Sequence, residues 1–343
     1  MKENPVKIWI GLVLFIAICC GDSKETRLQR FLIQSNTLIE HNQIEQAERY
    51  LREAIKLDSC FEDAWNNLGT LYFNQKRYPE ALEHYNSAIA CNPNYLPAYF
   101  NRVNTQYELK AYYSALKDLD KILQSRPDTS VAYFSRGLIY SKLREFDKSL
   151  EAFRKGLSLD NNNVEILVNI GTVYYYKKQY DSARFVLEDA TKRNSDEPNV
   201  FNALAMIEIE TKNYDKATFW LSKALNMKPD DPYFLNNRGF ISLMKGEIEK
   251  GREDIDLSIS LDPYNAWAYR NKGLYYLMRG NASDAIRLLE HAEEMDPLVE
   301  NLYLYLGNAY LASGDKGKAC AGFAKSYERM ELTKTELKKH CPE

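Results

Sequence analysis

The side chains most apt for catalysis or metal binding are few and scattered. Of the four histidines, His41, His84, His291 and His340, none stands four residues from another, the spacing that sets two imidazoles on one helix face for zinc. No glycine-rich loop suited to phosphate is present, and no nucleophile, base and orienting group stand in recognisable relation. Adjacent carboxylates such as Glu293 and Glu294 occupy polar helix positions and read as solvated faces. This pattern points away from an enzyme and from any cofactor, metal or small-molecule substrate. What recurs instead is asparagine. Asn67, Asn101, Asn169, Asn237 and Asn271 stand 34 or 68 residues apart, and each amide can both donate to and accept from a peptide backbone.

Groups spaced in that way need a scaffold with the same period, and one is visible. The clearest unit begins at Glu62 and carries Trp65, Leu68, Gly69, Tyr72, Tyr78, Ala81, Tyr85, Ala88 and Pro93 at positions 4, 7, 8, 11, 17, 20, 24, 27 and 32. Stepping by 34 residues without insertion starts units at Leu28, Glu62, Leu96, Ser130, Val164, Pro198, Pro232, Ala266 and Glu300, nine in all. Position 8 is small in nearly every unit, as Ser35, Gly69, Gly137, Gly171, Ala205, Gly239, Gly273 and Gly307, with Val103 departing. Position 20 is alanine, serine or glycine throughout, from Ala47 to Ala319. Small residues there let two helices touch, at a cost of about 1 kcal/mol per helical glycine. Position 27 is small except at Ile122, and position 4 is large throughout, from Phe31 to Tyr303. Proline at position 32, in Pro93, Pro127, Pro229, Pro263 and Pro297, stops the second helix.

This pattern resembles the tetratricopeptide repeat over Leu28 to about Glu331, the alanine at position 17 of the eighth unit, Ala282, being a further mild departure. The resemblance implies an all-α, right-handed superhelical solenoid of nine helix-turn-helix repeats over residues 28–333, with a short cap at 334–343. Such an array escapes the size limit on single cores, because each unit packs on its neighbours alone. The resemblance also implies that positions 2, 5, 6, 9, 12 and 13 of the first helices line a concave surface. The five asparagines fall at position 6, where they either clasp an extended peptide or only solvate the groove. Phe100, Phe134 and Tyr107, with Tyr175 and Tyr176, would add aromatic surface of the kind that anchors interfaces. Chaperone-binding relatives grip a terminal carboxylate with a clamp that starts from lysine at position 5. This chain offers no lysine there, so an acidic chaperone tail is not an expected ligand.

The first residues are of another kind. Lys2 and Lys7 precede the apolar run Ile8 to Cys20, after which the chain turns polar. A run of thirteen residues is short of the roughly 20 that span a bilayer and has the layout of a signal peptide. Ala17-Ile18-Cys19-Cys20 resembles a bacterial lipobox, with Cys20 the preferred lipidation site and Cys19 the alternative. The resemblance implies cleavage of residues 1–20, palmitate-type acylation, a linker at 21–27 and tethering to the cell envelope, with the outer membrane as the expected site. Lysine plus arginine number 45 against 48 acidic residues, a formal charge of −3, so nucleic acid is not an expected partner.

Continuing the register into a tenth unit places Cys341 near Cys320 on the preceding second helix. A Cys320–Cys341 disulfide would staple the cap in an oxidising compartment, two free thiols being the alternative. Cys60 and Cys91 lie in or near successive inter-repeat turns, about 10 Å apart by helix packing distances, and their pairing stays open. The expected function is an envelope-tethered interaction scaffold for proteins or extended peptides. The alternative is a structural or pilotin-like subunit of a secretion, pilus or motility assembly.

Overall fold

The structure, a computed structural model, describes residues 23–194 and 196–341. The expected leader and the expected lipidation residues, Cys19 and Cys20, lie outside the described residues. Every regular element among the described residues is an α-helix. The chain divides into two compact units, the first ending at Ile139 and the second beginning at Tyr140.

The first unit holds α1 (Lys24–Glu40), α2 (Ile44–Leu57), α3 (Glu62–Asn74), α4 (Tyr78–Cys91), α5 (Leu96–Glu108), α6 (Tyr112–Ser125) and most of α7 (Ser130–Lys142). The second holds the end of α7, then α8 (Phe146–Leu159), α9 (Val164–Tyr176), α10 (Tyr180–Arg193), α11 (Pro198–Glu210), α12 (Tyr214–Met227), α13 (Pro232–Met244) and α14 (Ile248–Leu261). It continues through α15 (Ala266–Met278), α16 (Ala282–Met295), α17 (Leu302–Ser313), α18 (Lys316–Glu328) and α19 (Lys334–His340). Within each unit consecutive helices pack as antiparallel pairs, and pairs stack on their neighbours, as in a tetratricopeptide solenoid.

One turn closes every pair. At position 15 the backbone is left-handed in all nine repeats, with φ of 57° to 60° at Asn42, Lys76, Lys110, Arg144, Lys178 and Lys212 and 74° to 88° at Gly246, Gly280 and Gly314. The next residue's N–H then reaches back to the carbonyl at position 11, as in Arg77 to Tyr72 at 3.0 Å, Gln179 to Tyr174 at 2.9 Å and Glu247 to Ser242 at 2.9 Å. This is a Schellman closure, which satisfies carbonyls the helix end would leave bare. Sequence inspection missed it because lysine and arginine, which are not left-handed formers, fill most of these sites.

The small residues sit where the two helices of a pair meet. A methyl group added to Gly171 would lie 2.6 Å from Leu187, and one added to Gly251 would lie 2.8 Å from the carbonyl oxygen of Gly239. The direct neighbour of position 8 is therefore the large residue at position 24, as in Tyr85 opposite Gly69 and Phe323 opposite Gly307. Two pairs are also tied by bidentate ion pairs. Arg102 meets Asp118 at 2.7 and 2.6 Å, and Arg238 meets Asp254 at 2.7 Å through both nitrogens.

Both ends differ from the sequence expectation. Residues Lys24 to Arg27, expected as linker, form the first turn of α1, because the Ser23 hydroxyl caps it by accepting the Thr26 N–H at 3.1 Å. The ninth unit begins its helix at Leu302 rather than Glu300, since Asn301 is left-handed with φ 56° and its N–H donates to Glu331 at 3.0 Å. That unit has no proline at position 32. Its second helix ends instead on left-handed Met330, with the Glu331 N–H donating to the Ser326 carbonyl at 3.0 Å. A Thr333/Glu336 capping box then starts α19. His340 stacks on Phe323 with ring centroids 4.4 Å apart, and Cys341 is bonded to Cys320 with a Cα separation of 5.7 Å. Cys60 and Cys91 are also bonded, with Cα atoms 5.1 Å apart rather than about 10 Å. Their separation is 31 residues and not 34, so they are not equivalent points, and the offset brings the α2–α3 turn against the end of α4.

These contacts separate two kinds of glycine. Gly239→Ala should destabilise the protein by about 1–3 kcal/mol, because the facing backbone cannot move aside. Gly317→Ala, whose added methyl meets nothing closer than 3.6 Å, should be neutral or stabilising by up to about 1 kcal/mol. Urea unfolding of the two variants measures the contrast.

Candidate binding groove

In the second unit, α9, α11, α13 and α15 present their faces to a cavity of about 460 Å³. Its floor is apolar at Val168, Ala203, Met206 and Phe234, and five amides, Asn169, Asn199, Asn202, Asn236 and Asn237, open onto it. Lys142 and Tyr176, at the C-terminal ends of α7 and α9, also line it. Toward the helix N-termini lie Glu165, Glu197 and Asp231 with the rings of Tyr233 and Trp267.

Two of those acids are placed by helix capping. Asp231 Oδ1 accepts from the N–H groups of Tyr233 at 3.0 Å and Phe234 at 3.1 Å. Glu197 Oε1 accepts from Asn199 N at 3.1 Å and Nδ2 at 2.8 Å. Carboxylates at these points satisfy bare N–H groups and favour the helix dipole. The aromatic edges are held as well, Trp267 Nε1 donating to Glu300 at 3.2 Å and the Tyr233 hydroxyl to Asp262 at 3.2 Å. Burial, with the Asp262 charge beside it, pushes Tyr233 up to about 12.

The asparagines form a ladder between repeats. Asn101 Nδ2 donates to Asn66 Oδ1 at 2.9 Å, Asn237 to Asn202 at 2.8 Å and Asn271 to Asn236 at 2.8 Å, each across 35 residues. Position 6 of one unit is thus bound to position 5 of the unit before it. Asn67 reaches position 9 of its neighbour, Asn36, at 3.3 Å. Asn169 has Phe134 at the preceding position 5 and donates to its own helix, at the Glu165 carbonyl 2.9 Å away. The position-5 asparagines, Asn66, Asn202 and Asn236, were missed as functional in the sequence, although their 35-residue spacing to the next asparagine was there to be read.

The predicted residues therefore divide. Asn169 and Asn237 open on the cavity, while Asn271 is fully buried, its Oδ1 taking Arg270 Nε at 3.0 Å and Nη2 at 2.7 Å. Asn67, Asn101, Phe100, Tyr107 and Phe134 belong to the first unit and are half-buried there. Tyr107 lies edge-on to Tyr112 at 5.8 Å, and burial pushes it up to about 12. Tyr175 and Tyr176 line a second cavity of about 400 Å³, where the Tyr175 hydroxyl donates to Glu210 at 3.0 Å and Lys178 donates to the Met330 carbonyl at 2.9 Å. Burial raises both of these tyrosines.

Three of the four histidines, His84, His291 and His340, pack against aromatic rings. His84 stacks on Trp65 at 5.7 Å, with its acidity increased first by burial and then by Arg52, and His291 meets Tyr269 edge-on at 4.6 Å. Among the described residues no three histidine, cysteine or carboxylate side chains gather as a metal site, and no helix is long and apolar enough to cross a membrane.

Known proteins share this organisation. One tetratricopeptide-repeat model matches residues 62–95 and 130–163, and a second matches 168–233 and 270–330, together more than half of the chain. Hsp70-Hsp90 organizing protein 3 of Arabidopsis thaliana is 34% identical over 67 residues, and the corresponding protein of Triticum aestivum is 37% identical over 67. In each case the match covers 20% of this chain and 12% of the relative. The crystal structure of the APC/C hetero-tetramer Cut9-Hcn1 matches 94% of this chain and 64% of its own with a TM-score of 0.62 and 16% identity. Pseudomonas aeruginosa pilF matches 62% of this chain and 97% of its own, with a TM-score of 0.52 and 19% identity. At these identities the structural likeness is one of fold.

The ladder predicts a stability effect independent of any ligand. Asn271→Ala leaves the Arg270 guanidinium and Asn236 Oδ1 short of a buried partner and should cost about 1–3 kcal/mol. Chemical denaturation followed by circular dichroism measures it.

Proposed function

The chain belongs to the tetratricopeptide-repeat family, and from that premise we propose that it is a protein–protein interaction scaffold holding an extended segment of a partner in the groove of α9, α11, α13 and α15. The observation that carries this reading is the 460 Å³ cavity with Asn169, Asn202, Asn236 and Asn237 opening onto it. Because the ladder commits Asn237 Nδ2 to Asn202, its Oδ1 remains to accept a backbone N–H. Apolar floor residues supply burial, and the amides fix a strand without reading its side chains. No reaction is part of this proposal. A carboxylate clamp is not part of it either, since position 5 carries no lysine.

The lipobox resemblance supports the further proposal that Cys20 carries acyl chains and tethers the scaffold to a bacterial envelope membrane. Metabolic labelling with a fatty-acid probe should mark the wild-type protein and not Cys20→Ser. Labelling that survives Cys20→Ser but is lost in Cys19→Ser moves the anchor by one residue, and a wild-type protein that takes up no label removes it.

The groove is tested by affinity capture from membrane extract. Asn169→Ala with Asn237→Ala should lose most of the captured partner. Asn101→Ala, which breaks an equivalent inter-repeat bond in the first unit, should retain it. Equal recovery from both variants would remove the groove as the binding surface.

A further inference from the structure

The same groove carries information about what it selects. We propose that the cavity on α9, α11, α13 and α15 is specific for a basic extended segment of a partner protein, one that presents lysine or arginine side chains. The inference rests on the groove reading above and adds the chemistry of the occupant.

Three observations meet there. First, an inward-facing donor is left open. Asn236 is only 2% exposed and lines the cavity, and its Oδ1 is taken by Asn271, yet its Nδ2 donates to no atom among the described residues. That nitrogen is not sealed off with the rest of the side chain but stays accessible from the cavity, where a ligand carbonyl can accept from it. Beside it, Asn237 has committed its nitrogen and keeps its oxygen. Together they offer one donor and one acceptor, the pair that a peptide unit of an extended chain requires.

Second, the lining is electrostatically one-sided. Glu165, Glu197 and Asp231 contribute three carboxylates and Lys142 the single basic side chain. Glu197 and Asp231 each use one oxygen in capping a helix, and the second oxygen takes no hydrogen bond among the described residues. Third, Tyr233 and Trp267 stand with those acids, their polar edges anchored to Asp262 and Glu300. Fixed aromatic faces next to carboxylates suit an ammonium or guanidinium group, by attraction to the ring face and to the opposite charge. An acidic segment would meet like charge, and a neutral one would leave the carboxylates unpaired.

Fluorescence anisotropy with the full chain and three labelled peptides of one length tests this. All share a glycine-serine backbone, and they carry lysine, glutamine or glutamate at alternate positions. The lysine peptide should bind roughly tenfold tighter than the glutamine peptide, the scale that three partly exposed charge pairs supply, with the glutamate peptide weakest. The preference should shrink as salt rises. It should vanish in Glu165→Gln, Glu197→Gln, Asp231→Asn combined, a variant whose amides still cap α11 and α13 and whose thermal melt should stay near wild type. Equal binding of the lysine and glutamine peptides overturns the basic-segment inference while the groove reading stands. Preference for the glutamate peptide overturns it too, and failure of all three to bind overturns both readings.

Discussion

Everything in this molecule hangs on how closely the two helices of a repeat approach. Where Gly239 and Gly251 face each other, an added methyl on either would fall within 2.9 Å of the other's carbonyl oxygen. Backbones that touch so closely have little freedom to roll or slide, because packed interiors do not deform continuously. The first helix therefore turns a constant set of positions away from its partner. Val168 and Asn169, Asn202 and Ala203, and Asn236 and Asn237 reach one cavity because positions 5 and 6 of α9, α11 and α13 are delivered in the same orientation. The groove follows from contacts on the opposite side of each helix.

The closing turn is the second part of that constraint. A left-handed residue at position 15 costs roughly 1–2 kcal/mol when it carries a side chain, yet Lys76, Lys110, Arg144, Lys178 and Lys212 all adopt it. Local preference is overridden by the back-bond from position 16 to position 11 and by the core beneath it. Glycine relieves the strain in the last three repeats, at Gly246, Gly280 and Gly314. The cationic side chains at the other sites are exposed, so they are no part of the core that demands the conformation.

The repeat was legible in the sequence because its sterics are written as residue size. Gly171, Ala183 and Leu187 have to be small, small and large wherever the phase places them, and nine copies make the rule visible. Features that depend on a neighbour's geometry were not legible. The Asn237–Asn202 bond needs the knowledge that position 6 faces position 5 of the preceding unit, so the amides read from sequence as wholly available to a ligand. Asn271 shows the limit of a positional rule, since Arg270 beside it closes the site that its counterparts leave open. The Cys60–Cys91 pair was judged from equivalent turns, whereas a three-residue offset decides it. The start of α1 at Lys24 depended on a single serine hydroxyl.

The positions of the two disulfides have a mechanical consequence. A stack of repeats loses its terminal members first, since each is held on one side alone. At the C-terminal end Cys320–Cys341 ties α19 to α18, and Cys60–Cys91 ties the α2–α3 turn to α4. The pair α1–α2 precedes any such bond. Tension entering the chain from the residues before Ser23 would act on that pair first and peel it from α3, after which the load would pass through the disulfide from Cys60 to Cys91 and spare the residues between them. The first unit thus holds one yielding hairpin ahead of a repeat that its disulfide shields from load.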